Sequence, residues 1–126
     1  MVSLTGNTSV YLQYAHARIR SILRKAGETI AAVDPGLPLH PAERSLVLAL
    51  DEFGGVLRDV AEASEPHRLC NYLFDTAKAF TDFYENCPVL SAPDDVRANR
   101  LALCRLAAAT LSQGLGLLGI AAPERM

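Results

Sequence analysis

The sequence predicts an all-α fold, a bundle of four to five helices. Three observations carry this. No stretch sustains the period-two alternation of a half-buried strand. Apolar residues instead recur at steps of three and four along several long segments. Prolines stand where those segments begin, and a glycine or a proline where they end.

The first segment, Thr8 to Lys25, reads TSVYLQYAHARIRSILRK and holds no acidic residue. Asn7 or Thr8 can cap its start. Gly27 ends it, just after the basic Arg24 and Lys25, whose charges suit a helix C-terminus. At about 100° per residue it splits into two faces. Leu12, Ala15, Ile19, Ile22, Leu23 and Ala26 form an apolar arc that must be buried. Tyr14, Arg18, Ser21 and Lys25 form a separate stripe, with Tyr11 at its border.

Residues 28–40 contain Pro35, Gly36 and Pro38 and read as a loop. The next helix starts at about Pro41, with Glu43 close behind. Leu46, Leu50 and Phe53 keep helical spacing, and Val56, Leu57, Val60 and Ala61 resume it. Gly54-Gly55 lies between, so the expectation is two helices, or one kinked helix, broken at the glycines. A further helix opens at Glu65-Pro66. Leu69, Leu73, Ala77, Phe80 and Tyr84 mark its apolar side, and Pro88 stops it. The last helix opens at Pro93 or at Asp94-Asp95, acids well placed at a helix N-terminus. From Leu101 to Ile120 its only charge is Arg105, which predicts a place in the middle of the bundle. Gly114, Gly116 and Gly119 either weaken its end or admit a close neighbour.

The chain has 126 residues, 50% hydrophobic and 21% charged, which suits one globular domain over 1–126. A core of this size needs no disulfide or metal. Cys70, Cys87 and Cys104 are far apart and form no C-x-x-C pair, and His16, His40 and His67 do not cluster with them. Reduced, buried or half-buried thiols and no metal site are expected. No apolar run reaches the ~18 residues needed to span a bilayer. The start lacks the parts of a secretion signal. A cytoplasmic domain without a membrane partner is the expectation.

The formal net charge is −2, but it is uneven. Residues 1–27 hold four of the twelve basic residues and none of the fourteen acidic ones, so they carry +4 against −6 for the remainder. Screening limits the reach of distant charges to about 10 Å. A local basic face can therefore meet phosphate on a mildly acidic domain. Motifs for phosphate loops, dinucleotide binding or metalloprotease zinc are absent. Gly114-x-Gly116-x-x-Gly119 matches the dinucleotide glycine pattern, but no strand precedes it and no helix follows it. No set of residues makes a catalytic constellation. The stripe Tyr14/Arg18/Ser21/Lys25 has two readings on its own. It is a solvated basic face with a tyrosine over a neighbour's edge, or a base-stacking platform with a guanidinium for phosphate.

Three stretches resemble one family. They are YLQYAHARIRSILRKAGE (11–28), EPHRLCNYLFDTAKAFTDFYENCPVL (65–90) and NRLALCRLAAATLSQGLGLLGIAAPERM (99–126). Together they are similar to the C-terminal helical, DALR-type anticodon-binding domain of arginyl-tRNA synthetases, a class I synthetase domain. The resemblance implies an all-α bundle that holds the anticodon loop of arginine tRNA. It implies that Tyr14 and Arg18 line the anticodon pocket and that Phe83, Tyr84 and Cys87 form a second wall. Met126 would close the pocket, and the base read would be the central cytosine. Tyr11, Ser21 and Lys25, by their place along the stripe, and Arg125, beside Met126, are outlying candidates for RNA contact. The implied partners are arginine tRNA and the catalytic domain of a parent enzyme that uses ATP and magnesium to join arginine to tRNA. This chain lacks H-I-G-H, K-M-S-K and a nucleotide-binding domain, so it would hold no cofactor. Two departures stand out. Gly54-Gly55 replaces an expected proline after the phenylalanine, and Cys87 stands where some members place an aromatic. An excised domain is the simplest expectation, and a stand-alone paralogue is the other. The alternative function is a non-catalytic protein-interaction or dimerisation module, motivated by the apolar last helix.

Overall fold

A computed structural model of the protein describes residues 6–27, 36–63 and 66–119. Among the described residues five helices follow in order: α1 (Gly6–Ala26), α2 (Pro41–Asp51), α3 (Phe53–Ala63), α4 (Pro66–Asn86) and α5 (Asp94–Leu117). No strand occurs among the described residues. The expected all-α bundle is what forms.

The helix ends follow local chemistry. Gly27 stops α1 in the left-handed region, at φ 78°, where a side chain would be strained. The N-terminus of α2 is closed by a capping box. His40 Nδ1 accepts from the Ala42 N–H at 3.0 Å, and the Glu43 carboxylate accepts from the His40 N–H at 3.1 Å. The expected break between α2 and α3 falls at Glu52, not at the glycines. Gly54 and Gly55 lie inside the first turn of α3. A residue of α4 meets the chain beside the break. The Tyr72 hydroxyl donates to the Ala49 carbonyl, the acceptor that Phe53 would use in an unbroken helix. The Phe53 ring instead stacks on Tyr72, centroids 5.8 Å apart.

The hub is α4, which packs against all four other helices, while α5 packs against α1, α2 and α4. The expected central place of α5 is therefore shared, and one of its sides stays outside. Leu106 is 52% and Leu117 60% exposed. The arc expected on α1 is inside: Leu12, Ala15, Ile19 and Ile22 are buried, with Leu23 and Ala26 packed at the margin. Close approach of α4 and α5 depends on Gly114, where an added Cβ would lie 2.5 Å from Leu73 Cδ2.

Direction along the bundle can be read from its contacts. Arg97, early in α5, donates to the Ala26 carbonyl at the end of α1, and Leu73 meets Gly114 near the end of α5. So α5 runs against both α1 and α4, and α1 and α4 run the same way. Their C-terminal halves come side by side.

Among the described residues, Arg100 and Glu43 form an ion pair that is largely sheltered from water. Arg100 Nη2 lies 3.2 Å from Glu43 Oε1, and its Nη1 donates to the Pro88 carbonyl at 2.6 Å. Arg68–Asp59 is exposed on both sides at 2.7 Å. Burial decides their worth. Glu43→Ala leaves a guanidinium buried and the cap open, and it should cost about 3 kcal/mol in urea unfolding. Asp59→Ala should cost under about 1 kcal/mol. The glycines should divide as well. Gly114→Ala should destabilise by roughly 1–2 kcal/mol, because Leu73 is fully buried and cannot give way. Gly54→Ala meets nothing within 4 Å and should stabilise α3 by about 0.5–1 kcal/mol.

Candidate nucleic-acid interface

The stripe on α1 faces outward. Tyr14 is 57% exposed, and Arg18 and Lys25 are exposed with it. Ser21 is half-buried. A helix of L-residues places i and i+4 on one face, so Tyr14 and Arg18 stand one above the other. Because α1 and α4 run the same way, this face meets the last turns of α4.

At that meeting the Arg18 guanidinium lies over the Tyr84 ring, 4.8 Å from its centroid. Tyr84 stacks in turn on Phe80, 6.2 Å away with planes 17° apart, and Phe80 tilts against Phe83 at 5.8 Å. A ladder thus runs from a surface cation through a half-open ring into the core. Tyr84 is 37% exposed, and Phe80 and Phe83 are buried. A second joint sits further towards the helix N-termini. Tyr11 tilts against Phe74 at 5.2 Å, and Lys78 Nζ lies 5.7 Å above Phe74. Tyr11 is therefore a packing residue at the border of the face, half-buried against the core.

The structure brings together Arg18 and Tyr84, with Tyr14 one turn before Arg18 on α1. Phe83 and Cys87, expected in a second wall, have fully buried side chains. The reason is the helical repeat. Residues 80, 83 and 87 point into the hub while 84 points to the margin. The Cys87 N–H bonds to the Phe83 carbonyl at 2.8 Å and extends the last turn of α4. Arg125 and Met126 lie outside the described residues. Phe80 was not singled out for the site. Its i, i+4 relation to Tyr84 was the available signal.

All three thiols are buried and free. Burial pushes Cys104 from an ordinary 9.0 up to about 12 and raises Cys70. Cys87 is also raised, by burial first, with the Arg100 charge pulling the other way. Among the described residues, no three His, Cys, Asp or Glu side chains gather as a metal would require.

Fold and surface define a helical binding module whose outward chemistry is an aromatic–guanidinium face. Residues 12–126 match the DALR anticodon binding domain, and the chain belongs to that family. It is 71% identical to an arginine–tRNA ligase of Frankia casuarinae over the whole chain, which is 21% of that protein. It is 56% identical to the arginine–tRNA ligase of Streptomyces coelicolor, covering 22% of it. The arginyl-tRNA synthetase of Thermus thermophilus superposes with a TM-score of 0.90 at 44% identity, over 98% of this chain and 22% of that one. The chain spans about a fifth of the length of the curated relatives it matches.

The thiols give a pH dependence with a definite sign. The unfolded chain releases its thiol protons near 9.0, while folded Cys104 holds its own to about 12. Their contribution is thus fully present below 9.0 and is lost as pH rises through that window. Urea midpoints should fall between about pH 8 and about pH 10.5, and less so in Cys104→Ala. Native protein at about pH 8 should leave all three thiols unlabelled by a thiol reagent.

Proposed function

We propose that this chain is the tRNA-binding module of an arginine–tRNA ligase and takes the anticodon loop of arginine tRNA on the face shared by α1 and α4. One observation carries the reading. In a chain of this family, Tyr14 and Arg18 stand outward on one stripe, and Arg18 meets Tyr84 across the helix pair. A splayed base stacks on an aromatic ring, and the guanidinium takes a phosphate or a base edge. Lys25 and Ser21 extend the face along α1, and the base read is the central cytosine of the anticodon. Met126, with Arg125 beside it, closes the pocket on the strength of the family resemblance. Phe83 and Cys87 act from behind, as the packing that holds Tyr84.

Joining arginine to tRNA is assigned to the whole ligase. ATP and magnesium would act in its catalytic domain, which is the proposed protein partner. The described residues offer no ligand set for the metal. No described helix is long and apolar enough to cross a membrane, in keeping with a cytoplasmic setting.

A second reading rests on α5. Leu106, Ala109 and Leu117 leave an apolar side exposed, which suits contact with protein. The occupant would be the rest of the ligase or a second copy of the chain. A dimer in light scattering that ignores tRNA would favour this reading.

Binding of an anticodon stem-loop at two salt concentrations tests the first reading. Tyr14→Ala and Tyr84→Ala should each weaken binding by about 1–3 kcal/mol. Arg18→Ala should lower the salt slope by about one unit. Equal affinity for loops with and without the central cytosine would sink the specificity.

A further inference from the structure

Two groups lie against the Tyr84 ring. Phe80 stacks on it at 6.2 Å, and the Arg18 guanidinium lies over it, 4.8 Å from its centre. A nucleobase needs an open face. Phe80 cannot yield one, because it is almost wholly buried in the hub. Arg18 can, because it is exposed and stands on a long, flexible stem.

We propose that Arg18 is a displaceable cover on Tyr84. In the free domain its guanidinium occupies the stacking face. On binding, a base takes that place and the released guanidinium moves to the RNA backbone. This rests on the RNA-binding reading above and adds an exchange step to it.

Magnitudes permit the exchange. A cation over an aromatic ring at an exposed site favours contact by roughly two- to fivefold. A stacked base favours contact by roughly five- to 150-fold. The cover is therefore strong enough to close the face and too weak to keep a base out. It also discriminates. A base in a duplex is not free to leave its stack and compete for the ring. Duplex RNA meets a closed face, whereas a flexible loop opens it.

One substitution separates this from ordinary damage, because its effect changes sign with the ligand. Cytidine carries no phosphate, so it faces the cover without any benefit from the released guanidinium. Arg18→Ala should bind cytidine roughly two- to fivefold tighter than the wild type. The same variant should bind an anticodon stem-loop more weakly, having lost a phosphate contact. Fluorotyrosine-labelled protein follows both, with the Tyr84 resonance assigned through Tyr84→Phe. That resonance should differ between free wild type and Arg18→Ala, and its solvent isotope shift should grow in the variant. Equal or weaker cytidine binding by Arg18→Ala, or an unchanged Tyr84 resonance, overturns the cover. Stem-loop binding by the wild type would then still support the RNA reading. A wild type that binds no stem-loop overturns both.

Discussion

The buried carboxylate of Glu43 holds the candidate site in shape. A charge taken out of water has to be matched by donors, or the fold carries its desolvation cost. Glu43 meets two: the His40 N–H at the start of α2 and the Arg100 guanidinium from α5. Arg100 spends its other terminal nitrogen on the Pro88 carbonyl, just past α4. Three elements are thereby fixed at one point. The segment just past α4 is among them, and it follows the turn that presents Tyr84 to Arg18. A carboxylate with no place on the interface thus governs its geometry.

Much of the fold was legible in the sequence, because local rules and packing agree over most of it. Pro41 and Pro66 are the first residues of their helices, and Gly27 ends α1 as a left-handed cap. The buried arc of α1 was visible in its spacing. The break before α3 was not, since the glycines that draw the eye are helical and the hydroxyl that meets the Ala49 carbonyl beside the break belongs to Tyr72, 23 residues away. Glu43–Arg100 was hidden for the same reason, with 57 residues between the partners. The site was legible in part. Tyr14 and Arg18 follow from one helix. On α4 the residues Phe80, Phe83, Tyr84 and Cys87 all satisfy steps of three or four, so spacing alone does not say which of them surfaces. Only the angle at which α4 meets α1 decides it.

Charge plays a smaller part than composition suggests. The chain is mildly acidic, and its first 27 residues are its basic pole. Screening makes the local sign count within about 10 Å, so a polyanion approaching α1 would respond to that pole first. Charge on a solvated helix does not select a loop, however. Selection needs a surface that offers a flat apolar face beside a cation, and the α1–α4 joint is where Arg18 and Tyr84 supply both.

The ladder from Phe83 through Phe80 and Tyr84 to Arg18 joins a fixed part to an exchangeable one. Its inner rings are buried and set where Tyr84 stands and how it is tilted. That orientation is established by folding and need not be bought again on binding. Its outer end is a side chain whose contact is worth little and can be replaced. Burying Tyr84 completely would leave no face for a base, and leaving it bare would hold an aromatic ring in water with no defined orientation. At 37% exposure, backed by Phe80 and topped by a guanidinium, the ring is held in place and still reachable. Phe83 stands behind the site in the same way: it packs on Phe80, and Phe80 packs on Tyr84.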